Sequence, residues 1–147
     1  MNSYKNRQSA EILNSVYRNA EMAYESSGDV LRRCRNTHLY NEIATQRERY
    51  KNVAAQARAE LTRRGSRPKP APAYSKMMAK MGIAMKTATS QSSTRIADLM
   101  IRGTTMGIID MQHALNRSRA AEQGIRDDAT DLLKREQEYC ESLKRYL

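Results

Sequence analysis

The sequence predicts an all-α protein, a four-helix bundle of up-down-down-up topology with a crossover helix between helices two and three. Three observations carry that expectation. Apolar residues recur at spacings of three and four in four separate stretches. No period-two run of β-branched or aromatic residues offers a strand. All three prolines, Pro68, Pro70 and Pro72, fall within Gly65-Ser-Arg-Pro-Lys-Pro-Ala-Pro-Ala73 and divide the chain into two helix pairs. At 147 residues the chain is the size of one domain. Its parts read as a helix pair over 9–64, a Pro-rich linker over 65–73, a crossover helix over 74–90 and a helix pair over 94–147.

The first helix is expected to start near Ser9, a capping residue type ahead of an apolar stripe. That stripe is Leu13, Val16, Tyr17, Ala20, Ala23, Tyr24 and Ser27, followed by Val30 and Leu31. Arg32, Arg33 and Arg35 are placed in its last turn, where cations suit the helix dipole. The second helix follows Asn36-Thr37, both good caps, with Leu39, Ile43, Tyr50, Ala54, Ala57 and Leu61 on one face. Arg63-Arg64-Gly65 closes it. The short connection makes these two helices antiparallel.

The third helix is expected from Thr94 to about Arg117, capped by Ser92, Ser93 or Thr94. Its stripe is Ile96, Leu99, Met100, Gly103, Met106, Met111 and Leu115. The fourth starts around Gly124–Asp128 and runs to the C-terminus, with Ile125, Ala129, Leu132, Leu133, Cys140, Leu143 and Leu147 inward. The roughly thirty residues between the pairs exceed what a hairpin needs. They suit a return along helices ~30 Å long. Within them Met77, Met81 and Met85 repeat every four residues beside Met78, the pattern of a helix laid on the bundle.

Composition limits the chemistry. Phe and Trp are absent, so Leu, Ile, Val, Ala, nine Met and eight Tyr must fill the core. A net charge of +10 favours anionic partners, and it equally suits a solvated helix surface. Cys34 and Cys140 form no CxxC, which fits a reducing compartment and free thiols packed as small hydrophobes. The N-terminal stretch lacks an apolar signal region, and no run reaches the length of a membrane span. A cytoplasmic protein is expected.

Gln46-Arg-Glu-Arg-Tyr50, the spacing onward to Ala57 and Leu61, the crossover helix and Ile101-Arg-Gly-Thr104 together resemble an uncharacterised ferritin-like four-helix family of bacteria. The resemblance covers roughly residues 9–147. Ile101, Thr104 and Thr105 stand where the family tends to be acidic, and the linker between the third and fourth helices is longer.

A di-metal carboxylate bundle needs a Glu from each of two helices and Glu-x-x-His from each of the other two. This chain has two His and no Glu-x-x-His. Glu48 is followed at i+3 by Lys51, Glu138 by Glu141, and Asp110-x-x-His113 is the nearest substitute. Cys34, His38, His113 and Cys140 would make a Cys₂His₂ zinc set, but His113 is expected some 30 Å from the turn that carries Cys34 and His38. Gly103-x-x-x-Gly107 suits close helix packing. No P-loop or dinucleotide fingerprint can follow a strand where none exists. Arg32, Arg33 and Arg35 at one end and Arg63, Arg64, Arg67 and Lys69 at the other offer phosphate contacts without an aromatic stacking platform.

No catalytic, cofactor or metal-ligand residue is therefore assigned, and no cofactor is expected. The expected function is a non-catalytic structural or interaction bundle without an intact di-metal centre, forming a homodimer through the Met77–Met85 helix or an adjacent face. A di-metal oxidoreductase or storage protein with an unusual ligand set is the first alternative. A basic protein with weak, non-specific nucleic-acid binding is the second.

Overall fold

A computed structural model describes residues 2–69 and 92–147. Among the described residues four helices make the bundle: α1 (Asn2–Leu31), α2 (Thr37–Arg63), α3 (Ser93–Arg117) and α4 (Gln123–Leu143), with a closing 3₁₀ turn over Lys144–Tyr146. No strand occurs among the described residues. The expected crossover helix and its methionines, with Pro70 and Pro72, lie outside them.

Side-chain pairs fix the helix directions. Along α1, Gln8 meets the Arg117 carbonyl, Arg18 meets Asp110, and Val30 packs with Ile96 and Leu99, so α1 and α3 are antiparallel. Arg64 meets Asn6 and Arg47 meets Tyr24, so α1 and α2 are antiparallel. Glu42 meets Ser142, Tyr50 meets Glu136 and Arg64 meets Glu122, so α2 and α4 are antiparallel as well. It follows that α2 and α3 run the same way. The chain leaves α2 at the end marked by Arg64 and enters α3 at the end marked by Glu42.

Two caps behave as expected. Asn36 Oδ1 accepts the Leu39 N–H at 2.9 Å, and Ser92 Oγ accepts the Arg95 N–H at 3.2 Å. At the end of α2, Ser66 N–H reaches the Leu61 carbonyl and Gly65 N–H the Thr62 carbonyl, a Schellman closure with Gly65 at φ +72°.

Three boundaries differ from expectation. The first helix starts at Asn2, not near Ser9. Ser9 caps nothing: it is buried, donating from Oγ to the Lys5 carbonyl and accepting the Glu122 N–H. Tertiary bonds from Asn6, Gln8 and Ser9 hold this polar turn in place where local propensity gave no reason for it. Arg32, Arg33 and Arg35 lie beyond Leu31, and the last turn of α1 holds no basic residue. The last regular helix stops at Leu143, and Leu147 is 59% exposed instead of inward.

The core forms as two main clusters. Val30, Leu39, Ile43, Ile96, Leu99, Met100, Tyr139 and Leu143 pack at the Glu42 end. Ile12, Met111, Leu115, Ala121, Ala129 and Leu133 pack toward the Arg64 end. Between them the helices touch through small residues, Ala20 and Ala54 beside Tyr50.

Gly65→Ala tests the α2 closure. A Cβ at Gly65 meets nothing within 4 Å, so its cost is the left-handed backbone alone. Denaturant unfolding should report a loss of about 1 kcal/mol with unchanged helix content.

Candidate functional site

Two carboxylates reach the interior at mid-height, one on each side of the bundle. Asp110 on α3 faces α1. Its Oδ2 accepts from Ser15 Oγ at 2.7 Å, Arg18 Nε at 2.9 Å and Asn19 Nδ2 at 2.7 Å, and its Oδ1 from Arg18 Nη2 at 2.7 Å. Burial raises this carboxyl, but the bonds from Arg18, Ser15 and Asn19 outweigh it and hold it below the usual range. Gly107, one turn earlier on α3, leaves room for Asn19: a Cβ there would sit 3.1 Å from Asn19 Oδ1. Asp110 is thus a saturated clamp between helices, not half of a ligand pair, and His113 is exposed.

Glu136 on α4 faces α2 and is only 4% exposed. Tyr50 Oη donates to its Oε2 at 2.7 Å, and Gln46 Nε2 reaches its Oε1 at a longer 3.4 Å. No guanidinium or ammonium forms an ion pair with it among the described residues. Burial therefore dominates and lifts this carboxyl to about 7 against the bonds from Tyr50 and Gln46. The same burial pushes Tyr50 and Tyr139 well above the ordinary phenol range. Their rings meet edge to face with centroids 6.5 Å apart, and the Tyr139 hydroxyl has no hydrogen-bond partner among the described residues.

Glu136 and Tyr50 form one wall of a cavity at the bundle centre, with a volume of about 40 Å³. That is room for two or three water molecules. Ala20, Ala23, Gly103 and Gly107 leave the space, and Asn19 and Thr104 add polar atoms to its lining. Two larger openings flank Glu136 along the line where α2 faces α4. One, of about 510 Å³, has Ile12, Leu13 and Val16 in its floor and Val53, Ile125 and Leu132 on its walls. The other, of about 430 Å³, lies between Asn41, Glu42, Thr45 and Gln46 on one side and Glu138, Tyr139 and Ser142 on the other.

The remaining sequence candidates do not converge. Cys34 is half-buried, packs beside the Val30–Leu143 cluster and directs its thiol at the Asn36 carbonyl. Cys140 is buried against Thr105 and Ile101. His38, Glu48, Lys51, Glu138 and Glu141 are exposed. Among the described residues no three His, Cys, Asp or Glu side chains gather into a metal-binding group. Part of each basic cluster is engaged internally: Arg32 pairs with Asp29, Arg63 with Glu60, and Arg64 with Glu60 and Glu122.

Sequence reading placed Tyr50 inward but missed Glu136, Gln46, Tyr139 and Asn19. For Glu136 a signal existed. It stands three and four residues from Leu133, Leu132, Tyr139 and Cys140, so the fourth helix carries a carboxylate on its apolar stripe. No family model, no curated protein and no solved structure matches this chain. No described helix is long and apolar enough to cross a membrane.

Glu136 makes stability depend on pH in a stated direction. Its folded pKa of about 7 lies above that of an unfolded carboxyl, so the folded state binds more protons between about pH 4.5 and 7. The stabilisation is complete below that window and is lost as pH rises through it. Unfolding at a series of pH values should show a decline of up to about 3 kcal/mol across the window. Glu136→Gln should remove that decline. Asp110→Ala should cost about 3 kcal/mol at pH 7, because it strands a half-buried guanidinium, the Ser15 hydroxyl and the Asn19 amide.

Proposed function

We propose that this chain is a non-catalytic, ferritin-like four-helix bundle that serves as a protein-interaction module and pairs with a second copy along the α2–α4 face. The up-down-down-up order and the long return between α2 and α3 support the ferritin-like reading. The donor chemistry supports the non-catalytic one. Among the described residues Glu136 is the carboxylate on the central cavity, its oxygens already accept from Tyr50 and Gln46, and Asp110 is spent on Arg18, Ser15 and Asn19. A di-metal centre needs several carboxylates converging on one cavity.

The observation that carries the interaction role is the open seam. Val16, Val53, Ile125 and Leu132 are apolar, half-buried and grouped around one 510 Å³ opening. The charges along it are ordered. Asp128 and Asp131 lie on one side of Leu132, and Arg135 on the other, with Arg49 further along the same face. A twofold axis near Leu132 would set the arginines of one copy against the aspartates of the other. Sedimentation at micromolar concentration should show a dimer. Asp128→Arg with Asp131→Arg should weaken it at least tenfold, and adding Arg135→Asp should restore part of the loss. A wild-type chain that stays monomeric up to about 100 μM would refute the pairing.

A second reading, nucleic-acid association, is favoured by one observation. Lys5, Arg7, Arg67, Lys69, Arg117 and Arg119 are exposed near the Arg64 end and form no ion pair among the described residues, whereas Glu60 and Glu122 there are bonded by Arg63 and Arg64. Binding through these cations would be sequence-independent. Its affinity for a labelled duplex should fall by about a thousandfold or more between roughly 50 and 200 mM salt if about six phosphates are contacted.

A further inference from the structure

The helices α2 and α4 face each other across two openings and are joined at three levels. At one end Arg64 bonds Glu122 through both terminal guanidinium nitrogens, at 3.0 and 2.5 Å. At the other end Glu42 accepts from Ser142, Arg145 and Tyr146. Between them the seam is bridged by Tyr50 and Gln46 to Glu136. The 510 Å³ opening lies between the first bridge and the middle one, and the 430 Å³ opening between the middle one and the last. Loss of the middle bridge would join both openings to the central cavity.

The geometry points to Glu136 as a proton-controlled latch of the α2–α4 seam: the neutral carboxyl holds the two helices together at mid-height, and the ionised carboxyl lets them part and admits water to the central cavity. Both hydrogen bonds survive protonation. Tyr50 can still donate to one oxygen, and the acid's own proton can go to the Gln46 amide oxygen, since that amide can turn. Ionisation leaves the same two donors facing a full negative charge that no ion pair among the described residues neutralises, in an interior that penalises it.

The groups around Glu136 leave it the titrating member. From α2 come Tyr50, Gln46 and, beyond them, Arg49. From α4 come Tyr139, Cys140 and Arg135, whose field favours the ionised form but is outweighed by burial. From α1 and α3 the shared cavity brings Asn19, Ser26 and Thr104, all uncharged. Burial pushes Tyr50, Tyr139 and Cys140 up, so all three stay neutral near pH 7. The outer bridges do not loosen in the same range. Arg64 holds Glu122 below the usual carboxylate range, and at Glu42 the bonds from Ser142, Tyr146 and Arg145 together outweigh the burial that raises it.

Hydrogen exchange of the full chain at about pH 5.5 and 8.5, corrected for intrinsic rates and repeated in low urea, tests the latch. A carboxyl near pKa 7 when closed and 4.5 when solvated shifts the opening equilibrium by about thirtyfold between those two pH values. Amides of residues 43–57 and 129–140 should therefore exchange about thirtyfold faster at the higher pH, through an opening that urea barely affects. Glu136→Gln should abolish the difference, and Tyr50→Phe should speed exchange of the same amides at both pH values. The inference is overturned if the pH effect appears only in urea-sensitive, whole-molecule exchange, if Glu136→Gln keeps the wild-type difference, or if exchange at the two pH values is equal. The result is independent of dimer formation, because both variants can be read at concentrations where sedimentation shows a monomer.

Discussion

A core without Phe or Trp has less ring area to close on, and here two carboxylates, the half-buried Asp110 and the buried Glu136, close it at mid-height. Ala20, Ala54, Gly103 and Gly107 bring backbones near one another but fill little space. The larger aliphatics collect toward the two ends, around Leu39 and Leu143 at one and Ile12 and Leu133 at the other. Asp110 ties α3 to α1 and Glu136 ties α4 to α2 in the zone between. Such bonds are directional, so they fix helix register where small side chains would permit sliding.

The two clamps differ in how their charge is met, and that difference decides their behaviour. Asp110 shares a bidentate guanidinium and two further donors, which hold its carboxyl below the usual range. Glu136 has two neutral donors, one of them long. The α1–α3 side is consequently a permanent ionic joint. The α2–α4 side depends on a proton, and it is also the side flanked by openings on either hand. Permanence and adjustability are thus separated onto opposite faces of one small bundle.

The four long helices among the described residues, the inward faces of α2 and α3 and the capping by Asn36, Ser92 and Gly65 were all legible, because each rests on local periodicity or local backbone chemistry. Every apolar residue assigned to the α2 face is buried. What escaped was set by tertiary partners. Residues 2–8 are helical because Asn6 and Gln8 find Arg64 and the Arg117 turn, which no local pattern announces. Ile12 is among the most buried side chains although it falls outside the chosen stripe, because α1 faces three neighbours and its buried arc is wider than one stripe. Asp110 drew notice only for its spacing to His113, while its real partners lie more than ninety residues away.

The arginine content gains a different meaning once partners are known. Net charge alone suggests a surface for anions, yet Arg18, Arg64 and Arg126 are spent inside the fold, on Asp110, on Asn6, Glu60 and Glu122, and on the carbonyls of Leu115 and Ser118. Guanidinium suits this work because one planar group can serve several acceptors at once. The two clamps then set opposite pH limits. Asp110, held below its unfolded pKa, contributes stability that is present at neutrality and lost as pH falls through its depressed value. Glu136, held above its unfolded pKa, contributes stability that is present in mild acid and lost as pH rises toward 7. The bundle is therefore most tightly closed in mildly acidic solution, and near neutrality the weaker of its two faces is the one lined by the half-buried Val16, Val53, Ile125 and Leu132.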